Sequence, residues 1–163
     1  MKNVLITIGV LGLALFGAES NAQQNPNLKA SSMEVEKAIE ATLRTYETAL
    51  NASDVDAVVA LYAEDGVFMP EQAPTAVGTE QIRAYYEHVF GMIKLDIVFS
   101  IDEIVQQGDF AFARTLSKGE VTVLAEGMTL PQENRELFLL KKTDDGWRIA
   151  RYMFNKMSPP VSH

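Results

Sequence analysis

The chain has 163 residues, a formal net charge of −8, 47% hydrophobic residues and no cysteine. That length supports one domain around one core, and the lack of cysteine excludes disulfides, thiol catalysis and thiolate metal sites. An acidic chain without a Lys/Arg cluster repels phosphate backbones, which excludes nucleic acid as a partner.

Residues 1–22 read as a signal peptide. Lys2 supplies a basic start, and Val4 to Phe16 is apolar but too short to span a bilayer comfortably. Ser20-Asn21-Ala22 offers small residues for cleavage. The expectation is an exported protein, periplasmic or secreted, with no stable membrane anchor; a lipid anchor would need a Cys after the apolar run. Residues 23–32 read as a polar linker, 33–157 as the domain and 158–163 as a tail.

Ser31-x-x-Glu34 has capping-box spacing. Behind it Val35, Ile39, Leu43, Tyr46 and Leu50 share one helix face, ending near Asn51. Ser53-x-x-Asp56 predicts a second cap, followed by a short helix through Val55, Val58, Val59 and Tyr62 that stops at Gly66. Val67-Phe68-Met69 predicts a strand and Pro70 to Gly78 a loop. Thr79 is expected to cap a third helix, with Ile82, Tyr85, Tyr86, Val89 and Phe90 as its stripe.

After Gly91 the period changes to two. Leu95, Ile97, Phe99 and Ile101 alternate with Asp96, Val98, Ser100 and Asp102. Gln107-Gly108-Asp109 is a turn. Phe110, Phe112, Arg114 and Leu116 share a face of the next strand, expected to be the core face, with a kink at Gly119. Met128 to Asn134 reads as a loop. Glu136 to Lys142 and Trp147 to Asn155 form a hairpin about Thr143-Asp144-Asp145-Gly146. Helices first and an antiparallel meander after them give an α+β class. The expected architecture is a curved antiparallel sheet with three helices over its concave face, enclosing a pocket open at one end.

Three segments carry a resemblance. Tyr46-x-x-Ala49-Leu50-Asn51-Ala52-x-Asp54 resembles the first-helix motif of ketosteroid isomerases, and Phe110-Ala111-Phe112 resembles their middle strand. Leu137-Phe138-Leu139-Leu140-Lys141-Lys142 with Asp145-Gly146-Trp147 through Asn155 resembles the C-terminal hairpin of SnoaL-like and SgcJ/EcaC-type small proteins. Over roughly 33–157 the chain is thus similar to the nuclear transport factor 2-like superfamily, whose cone-shaped fold holds one apolar pocket.

In the isomerases a first-helix Tyr and a protonated Asp donate to a developing oxyanion while a second Asp moves the proton. The resemblance places Tyr46 on the oxyanion Tyr and Glu136 on the oxyanion acid, with Arg135 one position away. The general base falls on Met69, whose thioether takes no proton at neutral pH; Glu71 lies two residues on. The same register points Tyr85, Tyr86, Phe112, Arg114, Arg151, Met153 and Asn155 into the cavity. The last strand is also similar to that of the calcium/calmodulin-dependent kinase II association domain. Arginines around an apolar pocket suit a small carboxylate, which guanidinium grips through parallel hydrogen bonds.

Structural alternatives stand beside these roles. Tyr46 also fits a core aromatic with one backbone partner, Arg114 an ion pair with Glu136 or Glu120, and Trp147 the core. Glu64-Asp65-Gly66 lacks the spaced oxygens of a calcium loop. His88 and His163 give no metal set, and there is no phosphate or dinucleotide glycine motif, so neither metal nor cofactor is expected. Three functions follow: a binder of a small, partly apolar acid; a proton-transfer enzyme of isomerase, hydratase or lyase type using Tyr46 and Glu136; and a homodimeric assembly module using the open sheet face.

Overall fold

A computed structural model describes residues 26–157, with side chains described from Ser31 onward. The expected signal peptide and the tail lie outside the described residues. The order of elements is α1 (Pro26–Asn51), α2 (Val55–Ala60), β1 (Tyr62–Met69), β2 (Ala76–Val77), α3 (Gly78–Met92), β3 (Ile93–Gln107), β4 (Phe110–Val123), β5 (Met128–Thr143) and β6 (Gly146–Lys156). The six strands form one sheet in the order β2-β1-β6-β5-β4-β3. All neighbours pair antiparallel except β1 and β6, which are parallel. The fold is the expected α+β one, a curved, unclosed sheet with helices on one face.

The element boundaries differ from expectation in several places. Helix α1 begins at Pro26, inside the expected linker and ahead of Ser31. Proline is well suited to a first helical position, where its missing N–H is not needed. The cap of α2 is Asp54, whose carboxylate accepts from Ala57 N at 2.9 Å, while Ser53 takes a left-handed φ of 54° that a cap cannot use. Helix α2 ends at Ala60, so Tyr62 opens strand β1 and pairs with Ile149. Helix α3 starts at Gly78, with Gln81 Oε1 rather than Thr79 accepting from Val77 N at 2.9 Å.

The segment from Met128 to Asn134, expected as a loop, is strand. Strand β6 pairs with β5 only as far as the Asn134–Lys156 pair. Pro131 therefore lies on an open edge, where its missing N–H breaks no ladder bond.

Strand β3 is the other edge of the sheet, and α1 covers part of it with side chains. Asn51 Nδ2 donates to Ile97 O at 2.7 Å and Asn51 Oδ1 accepts from Ile97 N at 2.9 Å. Glu47 accepts from Phe99 N at 2.6 Å and Arg44 donates to Phe99 O at 2.7 Å. These side chains stand in for a neighbouring strand and satisfy edge groups that would otherwise invite pairing. Asn51→Ala removes two such bonds at once and is expected to cost about 2 kcal/mol. Urea denaturation of the variant beside wild type checks this.

The core lies between the helices and the inner sheet face. It holds Ile39, Leu43, Tyr46, Val58, Ile82, Phe99, Phe138, Leu140, Ile149 and Tyr152, all buried. Tyr152 stacks on Phe138 with centroids 4.3 Å apart, and Phe68 stacks on Tyr86 and Tyr152 at 5.4 and 5.1 Å.

Candidate functional site

The inner sheet face, α1 and α3 enclose a cavity of about 350 Å³. Its floor is buried: Tyr46, Leu50, Phe68, Tyr86, Leu95, Ile97, Asn134, Glu136 and Tyr152. Its rim includes the exposed Gln72, Met92, Leu130 and Lys156. Val121 and Val123 of β4, with Val89 and Phe90 of α3, make apolar walls between floor and rim.

Glu136 is the buried charge-bearing group of this floor, only 4% exposed. Ser117 Oγ donates to its Oε1 at 2.6 Å and Thr115 Oγ1 to its Oε2 at 2.9 Å. Burial pushes its carboxyl up to about 7, against the opposing pull of hydrogen bonds from Ser117, Thr115, Tyr152 and Asn134. Near neutral pH the group therefore exists in both protonation states. Protein hydroxyls already donate to each oxygen, so the proton of its neutral form is left for a molecule in the cavity or for Tyr152.

Above this carboxyl lies a cluster of tyrosine hydroxyls. Tyr46 bonds Tyr86 through a short contact and Tyr62 at 3.4 Å, and Tyr62 reaches Tyr86 at 3.2 Å. Burial raises the pKa of Tyr46, Tyr86 and Tyr152 well above that of free tyrosine. All three remain protonated donors across the physiological range. Tyr85 is half-buried, packs edge-on against Phe68 at 4.8 Å and also lines the cavity. Tyr46, Tyr85, Tyr86 and Glu136 thus meet in one cavity, and Glu71 reaches it from the loop after β1.

Six other expected site residues do not reach it. Phe112 and Arg114 lie on the outer face of β4, because the residues facing the helices are Ala111, Ala113, Thr115 and Ser117. Small residues belong there: Ala113 pairs directly with Phe138, and Phe99 and Phe138 stand 6.0 Å apart on the same face. Arg114 instead pairs with Asp102 at 2.5 Å and Glu103 at 2.9 Å, and with neither Glu136 nor Glu120.

Arg151 and Asn155 also fall on the outer face, as does Met153. A bulge between the Leu139–Arg151 and Leu140–Ile149 pairs inserts Ala150 and reverses the alternation that begins at Trp147. Tyr152, Phe154 and Lys156 take the inner positions. Arg151 Nη1 donates to Asp65 O at 3.1 Å and Ala150 O at 2.6 Å. Met69 is displaced by a similar device. The β1–β6 register shifts between Tyr62 and Val67, and a Cβ at Gly66 would lie 2.8 Å from Ala63 O. Phe68 consequently faces the cavity and Met69 faces away.

Arg114→Met is accordingly expected to leave both the urea midpoint and the affinity for a cavity ligand unchanged. A parallel melt and titration checks it; a loss of affinity would put the arginine back in the site.

Thr115, Ser117, Asn134, Tyr62 and Tyr152 were not expected at the site. Asn134 shares strand parity with Glu136, and Thr115 and Ser117 share parity with Ala111 and Ala113. Polar side chains repeating every second residue are the signal that marks them.

Comparison with known proteins follows the same geometry. Residues 43–153 match the SnoaL-like domain family. A ketosteroid isomerase-like protein from Erwinia carotovora atroseptica SCRI1043 is 41% identical, with a TM-score of 0.72 over 76% of this chain and 96% of that one. A nuclear transport factor 2-like superfamily protein from Salmonella enterica serovar Typhimurium is 18% identical and shares the fold, with a TM-score of 0.70 over 79% and 95% of the two chains. An NTF2-like protein with a cystatin-like fold from Novosphingobium aromaticivorans does likewise at 19% identity, with a TM-score of 0.65 over 87% and 94%. No curated protein sequence matches. With the family match covering most of the described domain, and a relative this similar along almost its whole length, the chain belongs to the SnoaL-like domain family.

Proposed function

We propose that the protein binds a small, uncharged, largely apolar molecule whose carbonyl or hydroxyl meets Glu136. The observation that carries this reading is one buried carboxyl with a pKa of about 7 on the floor of a cavity whose walls from β3, β4 and α3 are apolar. An acid ligand, expected from the arginines, loses its support because Arg114 and Arg151 lie on the outer face. A carboxylate on the floor would instead face Glu136 with no guanidinium to balance it. Native mass spectrometry of protein taken from its own compartment should retain a neutral molecule. Retention of a carboxylate, or an empty pocket with no binding of neutral aromatics, would overturn the reading.

A second reading is proton transfer. Glu136 is poised near neutrality, as a general acid or base requires, and Glu71 places a second carboxyl at the cavity. In this reading a carboxylate takes a proton from the carbon beside a bound ketone, Tyr46 and neutral Glu136 donate to the enolate oxygen, and the proton returns from solvent-equilibrated acid. Deuterium exchange into 2-tetralone in D₂O tests it by proton NMR. Exchange above buffer rate that is lost in Glu136→Gln supports the reading, and exchange at the buffer rate excludes it. Isomerisation of a 3-oxo-Δ5 steroid is not expected, since Phe68 and Met69 leave no carboxylate on β1 at the position of the isomerase base.

Export and dimerisation belong to the same proposal. The signal pattern of residues 1–22 supports export, and N-terminal sequencing of exported protein should begin at Gln23. The outer sheet face exposes Phe110, Phe112, Leu137, Leu139 and Met153, which supports a homodimer through that face. Sedimentation of wild type and Leu137→Lys should give a dimer and a monomer.

A further inference from the structure

Among the described residues, the cavity floor contains one polar atom without a hydrogen-bond partner. Asn134 is 4% exposed and lines the cavity, and its Oδ1 has no hydrogen-bond partner among the described residues. The orientation of its amide is fixed by a directional chain. Ser117 Oγ gives its single proton to Glu136, so that oxygen accepts from Asn134 Nδ2, at 3.2 Å. The carbonyl end is what remains. A buried acceptor left alone is costly, and one in a cavity gains that energy back from a bound donor.

Asn134 also has a place in a larger pattern. Gln132, Asn134 and Glu136 alternate along β5 on the cavity side, with Gln132 nearer the rim and Glu136 on the floor. Alternate residues of a strand are about 7 Å apart. The other walls, from Leu95 and Ile97 of β3, Val121 and Val123 of β4, and Val89 and Phe90 of α3, are apolar. The cavity therefore sets a polar stripe on β5 against these apolar walls, with the tyrosine hydroxyls on the floor and Glu71, Gln72 and Lys156 toward the rim.

We infer that Asn134 selects the ligand, its Oδ1 accepting a hydrogen bond from a hydroxyl or N–H carried on one edge of an otherwise apolar, ring-sized molecule. This rests on the reading of the cavity as a binding site and narrows it. The ligand is a donor-bearing compound such as a phenol or an alcohol on a fused ring. A simple ketone or ether of the same shape leaves Oδ1 unpaired.

Three probes of one shape test the inference: naphthalene, 2-naphthol and 2-methoxynaphthalene, titrated by NMR into wild type, Asn134→Leu and the outer-face control Arg114→Met at pH 6. Wild type should favour 2-naphthol over 2-methoxynaphthalene about tenfold, the scale of one hydrogen bond. Asn134→Leu should bind the two within about twofold, a remainder within the spread of one hydrogen bond, while Arg114→Met keeps the preference. Should the Leu variant not fold, Asn134→Ala takes its place. Equal binding of naphthol and its ether by wild type, or a preference that survives at Asn134→Leu, overturns the role of Asn134 while the cavity reading stands. If none of the three probes binds wild type, the cavity reading fails and takes this inference with it.

Discussion

Glu136→Gln is expected to stabilise the protein relative to wild type by about 3 kcal/mol more at pH 9 than at pH 4. The sign follows from the direction of the shift. In the folded protein burial holds the carboxyl protonated up to about 7, whereas the unfolded chain releases that proton near 4.5. Between these values the folded state binds one more proton than the unfolded state, so wild-type stability falls as the pH rises through the window. Above it the ionised carboxylate stays buried, and hydrogen bonds from Ser117, Thr115, Tyr152 and Asn134 only partly offset the lost hydration. Glutamine carries no charge to desolvate and shows no such fall.

Other groups titrate over the same range. The quantity to measure is therefore the difference between variant and wild type at each pH, from urea denaturation, in which shared contributions cancel. The bonds from Ser117 and Thr115 complicate the low-pH reference, because an amide nitrogen cannot accept from both hydroxyls. That changes the offset between the proteins and leaves the slope with pH intact. A difference that is flat from pH 4 to 9 would show that Glu136 ionises normally, and the acid-base reading of the cavity would fall with it.

The fold was largely legible because helix and strand periods are properties of residue spacing. Val35, Ile39, Leu43, Tyr46 and Leu50 declare their face, and Leu95, Ile97 and Phe99 declare theirs. The two turns at Gly108 and Gly146 were equally plain. The part of the site on helices was legible for the same reason: Tyr46, Tyr85 and Tyr86 occupy one cavity.

The strands were harder, since a strand has two faces and a single inserted residue exchanges them. Ala150 does this in β6 and Gly66 sits at the irregularity in β1, so Arg151, Asn155 and Met69 left the cavity together. In β4 the error had another source. The large side chains Phe110 and Phe112 suggested a core face, but the inner face is already filled by rings from α1, β3, β5 and β6. The residues that fit beneath them are alanines, Thr115 and Ser117. Size alone does not identify the inward face of a strand whose neighbours carry the bulk. Glu136 reaches the cavity in an unbroken alternation with Gln132 and Asn134, because β5 runs without a bulge from Met128 to Leu139.

Gly119→Ala is expected to destabilise the fold by about 3 kcal/mol or more, the upper end for forced overpacking. The residue lies in β4 opposite Ile97 of β3 and Gln132 of β5. A Cβ there would stand 2.0 Å from Asp96 O and 2.8 Å from Ile97 Cα, both backbone atoms that no rotamer change can move aside. Relief requires β3 and β4 to separate. Separation would break ladder bonds beside Asn51, which holds Ile97 from the other side, and would shift Ser117 and Val121 on either flank of Gly119. The damage should therefore extend to the cavity, lowering affinity for a bound probe even where the variant still folds. Gly91→Ala supplies the contrast. Nothing lies within 4 Å of its added methyl, and it sits in helix α3 without a left-handed φ. There alanine should stabilise by a few tenths to about 1 kcal/mol through the unfolded chain's lost freedom and better helix propensity. Opposite signs for the same chemical change, read from urea midpoints of the two variants, would locate the constraint in the close approach of β3 to β4. A neutral Gly119→Ala would show that the sheet relaxes there and that the cavity wall is softer than its packing implies.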